Sequence, residues 1–270
     1  VTTMANMFEK ASLFNQSFNN WDVSNVTTMD RMFYDTVLFN QPLDNWDVSK
    51  VKSIRRTFWN AVLFNQSLDN WDVSNVGTMH YMFYNAEEFN KPLSSWNTSN
   101  VTNMYGLFNK AEKFNQPIGN WDTSNVEDIN FMFSSCSAFN QPLNDWDTSK
   151  VKGTRFLFFG TPFNHPLNNW DVSNIENLSG TFWHAFEFNQ DIKNWNVSKV
   201  TNFNKMFLSS KVPDRFGITE TPDPAFWNRF TDSDLKAAVD EYWPNDATEP
   251  VQSAIEKYGY IRDWDVSQVT

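Results

Sequence analysis

The sequence predicts a repeat solenoid of about eight coils. Two series of residues predict it. Trp stands at 21, 46, 71, 96, 121, 146, 170 and 195, a step of 25 with one step of 24. Phe-Asn stands at 14, 39, 64, 89, 114, 139, 163 and 188, with its short step at the same place. Self-similarity at a fixed period of about 20–50 residues marks units that bury their apolar face only by stacking.

The copy from Phe64 to Asn90 shows what each coil should contain. From Trp71 to Ser74 apolar and polar residues alternate, which predicts a short half-buried parallel strand over L-x-x-W-D-V-S. From Val76 the apolar residues Met79, Met82, Phe83 and Ala86 follow at helical spacing, which predicts a short helix or 3₁₀ segment. The stripes begin at Val1, Val26, Val51, Val76, Val101, Val126, Val151, Ile175 and Val200. Ser stands between strand and stripe in every copy, as Ser24, Ser49, Ser74, Ser99, Ser124, Ser149, Ser173 and Ser198. There it reads as a helix N-cap, and Ser124 with Glu127 and Ser173 with Glu176 have capping-box spacing.

A small residue follows the stripe in seven copies, Cys136 among them, where the chain turns back. The one-residue deletion falls in this turn, at Gly160-Thr161-Pro162. Phe-Asn then closes the coil. Stacked coils would place Asn15, Asn40, Asn65, Asn90, Asn115, Asn140, Asn164 and Asn189 one above another, roughly 4.8 Å apart. Bonded to turn backbone, such a ladder satisfies groups that neither helix nor strand satisfies. Thr154 replaces an apolar residue of the stripe, so its coil should pack less well.

The string M-F-x-x-A-x-x-F-N-Q-x-L-x-x-W-D-V-S-x-V-x-x-M resembles the BspA-like, leucine-rich-type repeat. The resemblance covers Val1 to about Ser210 and resumes at Ile261. Leu68-x-x-Trp71-x-Val73 is similar to the strand core of leucine-rich repeats, with Trp in the second Leu place. That family includes surface lipoproteins of wall-less bacteria, bacterial adhesins and surface proteins of marine algae. It implies a leucine-rich-repeat-like solenoid and an extracellular or cell-surface location. It implies no single activity.

Aromatic residues make up 17% of the chain, and large rings fill a thin coil efficiently. The formal net charge of -11 argues against a nucleic-acid or anionic-membrane partner. The single Cys excludes an internal disulfide. No apolar run reaches the roughly 18 residues of a membrane span. Val1 opens on a stripe without its strand and Thr270 closes just after WDVSQV, so the chain reads as a segment of a longer tandem array.

The expected order is a repeat solenoid over 1–210, a linker and end cover over 211–230, a helical N-terminal cap of a following array over 231–260, and the first strand of that array over 261–270. Pro and Gly punctuate 211–230, and Phe216, Phe226, Trp227 and Phe230 are its aromatic anchors. Leu235, Ala238, Val239 and Tyr242 make a helical face after Asp232 and Asp234, and Glu249-Pro250 opens a second helix. In the resembling family such a helical pair precedes an array.

The outward strand position holds Asp22, Asp47, Asp72, Asn97, Asp122, Asp147, Asp171, Asn196 and Asp265. In register these carboxylates form a column whose repulsion asks for compensation by donors, Lys or a cation such as Ca²⁺. The metal candidates are therefore Asp22, Asp47, Asp72, Asp122, Asp147 and Asp171, with no other cofactor implied. Sequons outside the ladder make Asn25, Asn97, Asn100, Asn177 and Asn196 glycosylation candidates. His80, His165 and His184 have no metal spacing, and no nucleophile elbow, phosphate loop or zinc motif is present, so no catalytic residue is expected.

These features point to a non-enzymatic extracellular structural or adhesive protein. Its expected partner is itself, in head-to-tail arrays, a rod or a filament. The alternative is a surface recognition module binding a glycan or host protein through the Asp/Ser/Asn face.

Overall fold

The computed structural model describes residues 1–227, so the expected cap at 231–260, the strand at 261–270 and Asp265 lie outside the described residues. The chain divides into two compact units, Val1–Asp223 and Pro224–Thr270. The first is a stack of coils with a period of 25 residues and one step of 24.

Neither element expected in each coil forms. The Leu68–Val76 stretch is a run of tight turns, in which the Trp71 N–H donates to the Leu68 carbonyl at 3.0 Å and the Val76 N–H to the Val73 carbonyl at 2.9 Å. Parallel pairing lies further along, in isolated bridges such as Thr28 with Ser53, Ser53 with Thr78 and Thr78 with Asn103. It therefore falls in the segment whose spacing predicts a helix.

That segment is a ladder of turns. The amides of Met79, Tyr81, Phe83 and Asn85 donate to the carbonyls of Asn103, Tyr105, Leu107 and Asn109 on the next coil, at 3.0, 2.8, 2.9 and 2.8 Å. The amides between them, of Met82, Tyr84 and Ala86, donate three residues back to Met79, Tyr81 and Phe83. A helix would send these amides four residues back. Here Tyr81 and Asn85 take positive φ, 54° and 55°, at the third residue of the Met79–Met82 and Phe83–Ala86 turns, and alternate amides point at the neighbouring coil. The amides of Met79, Tyr81, Met82, Phe83, Tyr84, Asn85 and Ala86 thus all donate to a backbone carbonyl without regular secondary structure. The spacing of three, three, one and three is common to a helix and to this ladder, because both bury every third or fourth residue.

The interior is made of stacked columns. Val76, Met79, Met82, Phe83, Ala86 and Phe89 are all buried completely. Phe83 lies 4.1 Å from Phe89 of its own coil and 5.6 Å from both Phe58 and Phe108 of the adjoining coils, with rings nearly parallel. Trp replaces the leucine of an ordinary leucine-rich coil for a polar reason as well as a volumetric one. The Trp96 indole N–H donates to the Leu68 carbonyl one coil back at 2.9 Å, and Trp46, Trp71, Trp121, Trp146, Trp170 and Trp195 repeat the bond. Trp21 is 45% exposed.

Thr154 does not loosen its coil. Its hydroxyl pairs with that of Thr181 at 2.9 Å inside the core, and Thr181 also donates to the Thr154 carbonyl. Cys136 is fully buried against the Ala111 carbonyl at 2.9 Å, and burial pushes its thiol pKa far up, which keeps it protonated and unreactive.

The last coil ends on residues of the segment read as a linker. Lys205 and Phe207 N–H groups, which in earlier coils would reach the next coil, instead reach Thr221 Oγ1 at 2.8 Å and the Glu220 carbonyl at 2.9 Å. Between them runs a short helix, α1, Val212–Phe216, closed by Gly217 at φ 65°. Pro224–Trp227, in the second unit, is a 3₁₀ turn in which Phe226 and Trp227 meet edge to face at 4.8 Å.

Candidate functional site

The Asp edge, first among the candidates, is occupied by its own backbone. Oδ1 of Asp22, Asp47, Asp72, Asn97, Asp122, Asp147, Asp171 and Asn196 accepts the N–H of the Ser two residues on, at 2.9–3.2 Å. These are Asx turns, and they reverse the cap reading: Asp caps Ser, and Ser is the donor. The expected capping boxes are absent too, because Glu127 pairs with Lys152 at 2.5 Å and the Glu176 N–H reaches the Lys152 carbonyl. Asn at 97 and 196 fits because an amide oxygen accepts as a carboxylate does. Among the described residues no three Asp, Glu, His or Cys side chains gather closely enough to hold a metal ion.

The Ser hydroxyl first, and the Ser N–H second, hold the Asp22, Asp47, Asp122 and Asp147 carboxyls below the usual carboxylate range. A carboxyl lowered by folding stabilises the fold above its unfolded pKa and loses that contribution as pH falls through its folded value. Stability should therefore decline below about pH 4. Replacing these four Asp by Asn should keep the Asx turns, lower stability slightly at pH 7 and flatten the acid limb of a pH series of thermal melts. An acid limb that the four substitutions do not move would contradict the Asx assignment.

The eight ladder asparagines lie together on another edge. Oδ1 of Asn15, Asn40, Asn65, Asn90, Asn115, Asn140 and Asn164 accepts the N–H of the next ladder Asn at 2.9–3.1 Å. The following Gln often joins, as Gln116 Nε2 does to Asn90 Oδ1 at 2.8 Å, and His165 in that place meets the Asn140 carbonyl at 3.0 Å. The series stops at Asn189, whose buried Oδ1 has no donor. Among the sequons, Asn25, Asn97, Asn100 and Asn196 are exposed, Asn177 is half-buried, and Asn100 Nδ2 is already donated to the Ser74 carbonyl at 2.6 Å.

A different face carries the side chains that the repeat does not fix. Each coil has two positions of positive φ in its turn ladder. The second is filled by Lys10, Asp35, Asn60, Asn85, Lys110, Ser135, Gly160, His184 and Ser209, more than half of them Asp, Asn, Gly or His, which tolerate this conformation. The first is filled by Asn6, Arg31, Arg56, Tyr81, Gly106, Phe131, Phe156, Gly180 and Lys205. A left-handed backbone costs a bulky residue about 1–2 kcal/mol relative to glycine, so six large side chains, Arg31, Arg56, Tyr81, Phe131, Phe156 and Lys205, are held here against local preference. The two glycines show how the face is assembled. A Cβ on Gly106 would sit 2.2 Å from the Tyr81 ring, and one on Gly180 would sit 2.9 Å from the Phe156 ring.

These side chains form a half-exposed aromatic and cationic strip. Tyr34 stacks on Trp59 at 5.6 Å, Trp59 on Tyr84 at 3.8 Å, Tyr105 meets Phe131 at 5.5 Å, and Phe131 meets Phe156 at 5.2 Å. Arg56 covers Trp59 and Tyr81, Arg155 covers Phe131 and Phe156 at 5.3 Å, and Lys205 covers Trp183 at 4.6 Å. Two clefts open on the strip. One of about 620 Å³ lies among Tyr105, Asp128, Asn130, Phe131, Gly153 and Arg155. Another of about 390 Å³ lies among Asn6, Asp30, Arg31, Arg55, Arg56 and His80. Sequence reasoning passes over this strip because its residues fall on the polar side of the presumed helix. Gly106 and Gly180, in the middle of that helix and in the same column as Arg56 and Tyr81, were the available signal.

Comparison with known proteins supplies a family. The family described as Mycoplasma protein of unknown function, DUF285, matches residues 1–94, 64–162 and 145–215. Among solved structures the chain is similar to a leucine rich cell surface protein from Faecalibacterium prausnitzii A2-165, with 16% identity and a TM-score of 0.36. That similarity covers 68% of this chain and 44% of the other, so the chain spans less than half of that protein's length. No curated protein matches the chain. Among the described residues no helix is long and apolar enough to cross a membrane. The three family matches tile the coils from the first to the last, and the chain belongs to the DUF285 family of repeat proteins.

Proposed function

We propose that the stack is a non-enzymatic adhesive scaffold of the cell surface that holds its partner on the turn-ladder strip rather than on the Asp edge. The observation that carries this reading is the strained column of Arg31, Arg56, Tyr81, Phe131 and Phe156. Positions fixed in every copy already account for the fold: Trp, Phe and Val fill the core, Asn builds the ladder and Asp caps a turn. The strip contributes little that the fold needs, since glycine serves at the same position in two coils. Bulky residues retained at a left-handed position mark function more often than stability. Exposed aromatic rings flanked by guanidinium groups are the chemistry of binding surfaces.

Tyr81→Gly combined with Phe131→Gly separates the two roles. Glycine removes the rings and relaxes the backbone, so the variant should fold and melt within a few degrees of wild type. Binding to arrays of glycans and extracellular-matrix proteins should fall at least tenfold. Full binding by this variant, or binding abolished instead by the four Asp→Asn substitutions, would refute the assignment of the face.

A further inference from the structure

We propose that the cleft formed by Arg31, Arg55, Arg56 and His80 binds an oxyanion carried on a sugar, a sulfate ester or a carboxylate, with the sugar ring laid on the adjoining Tyr34. The inference rests on the adhesive reading above and names the ligand class that one part of the strip takes.

Charge is the first argument. The chain carries a formal net charge of -11, yet three arginines line a single cleft of about 390 Å³. The cleft's one carboxylate is spent. Asp30 Oδ2 receives Arg55 Nε at 3.0 Å and Nη2 at 2.8 Å, while Oδ1 receives Ser53 Oγ at 2.5 Å and the Arg55 N–H at 3.0 Å. Arg55 and Asp30 thus neutralise each other. Arg31 and Arg56 have no carboxylate partner among the described residues. They lie instead over rings, Arg31 at 5.7 Å from Tyr34 and Arg56 at 5.4 Å from Trp59 and 5.8 Å from Tyr81. A ring engages the face of a guanidinium and leaves its N–H fork in the plane available for an oxyanion.

The second argument is His80. Its Nε2 is buried without a hydrogen-bond partner, and the ring is wedged against Tyr105 at 5.2 Å and Tyr81 at 4.7 Å. A polar side chain left without a partner in the cleft that Arg31, Arg55 and Arg56 line is a group that a ligand can complete. The third argument is backbone strain: Arg31 and Arg56 both hold φ 55°, where glycine would be cheaper. The fourth is the shelf. Tyr34, whose one ring neighbour among the described residues is Trp59 at 5.6 Å, stands beside Arg31, and a pyranose presents an apolar face of matching size to such a ring. A polyanion such as nucleic acid needs several phosphates neutralised along its length, which one cleft on an acidic chain does not provide.

The test uses the intact chain and an Arg31→Gly/Arg56→Gly variant, glycine being native to that column. Both are applied to an array of sulfated, sialylated, uronic-acid and neutral glycans, with inorganic sulfate as competitor. Wild type should bind acidic glycans, the variant should bind them at least tenfold more weakly at an unchanged melting temperature, and sulfate should compete. Selective retention of sulfated over carboxylated sugars, or the reverse, identifies the oxyanion. Equal binding of acidic glycans by the two proteins, or no binding of any acidic glycan by wild type, would overturn the proposal. In the latter case ligands still lost on Tyr81→Gly/Phe131→Gly would leave the adhesive face standing, and a wild-type chain blank on every array would remove both.

Discussion

Phe83→Ala should lower the stability of the stack by about 3–5 kcal/mol, which corresponds to roughly 6–20 °C in melting midpoint. The ring is fully buried and is shared by three coils, at 5.6 Å from Phe58, 5.6 Å from Phe108 and 4.1 Å from Phe89. Neighbours cannot collapse into the gap, because each is itself held in a column by the coil beyond it. A coil contacts only the coils beside it, so a cavity here weakens both interfaces at once. Melting should also broaden as the coils on either side uncouple. The same change at Phe8, half-buried in the first coil, should cost clearly less. Thermal melts of the two variants decide the matter, and a Phe83→Ala midpoint no lower than that of Phe8→Ala would contradict the stacked-column account.

Asn90→Ala should cost about 2–3 kcal/mol although it removes no apolar contact. Asn90 Oδ1 accepts the Asn115 N–H at 3.0 Å and Gln116 Nε2 at 2.8 Å. Alanine keeps the bond from its own N–H to Asn65 Oδ1 but leaves both of those donors without an acceptor. Desolvated donors left unmade cost about 1–3 kcal/mol each, and water reaches the Gln116 amide more readily than the Asn115 N–H. Asn90→Asp retains the acceptor and should recover most of the loss. Urea denaturation of the pair checks both statements. An alanine variant within about 0.5 kcal/mol of wild type would show that the ladder is a bystander.

The repeat, the columns and the ladder were legible because they depend on residue identity at fixed spacing. Trp71, Phe83 and Asn90 recur in every coil or nearly so, and stacking follows from recurrence alone. The backbone path was not legible from the apolar spacing. Val76, Met79, Met82, Phe83 and Ala86 line one side of a helix and one side of a turn ladder equally well, and periodicity cannot separate them. What separates them is the demand for positive φ, visible in Gly106, Gly180 and the Asp, Asn and Gly at 35, 60, 85 and 160. Ser74 looked like a cap because Ser commonly is one, whereas the Asx turn of Asp72 takes that role. The candidate site was hidden for the same reason. Arg31, Arg56 and Tyr81 read as the solvated side of a helix, and only the ladder places them on one continuous strip.

Trans-hydrogen-bond scalar couplings measured by NMR test the stacking of coils most directly. Couplings from the amide nitrogens of Tyr81, Phe83 and Asn85 to the carbonyl carbons of Tyr105, Leu107 and Asn109 should appear, together with couplings from Met82 and Ala86 to the carbonyls three residues back. Couplings to carbonyls four residues back along 76–86, with none between coils, would mean that the segment is a helix and that the ladder described here does not exist.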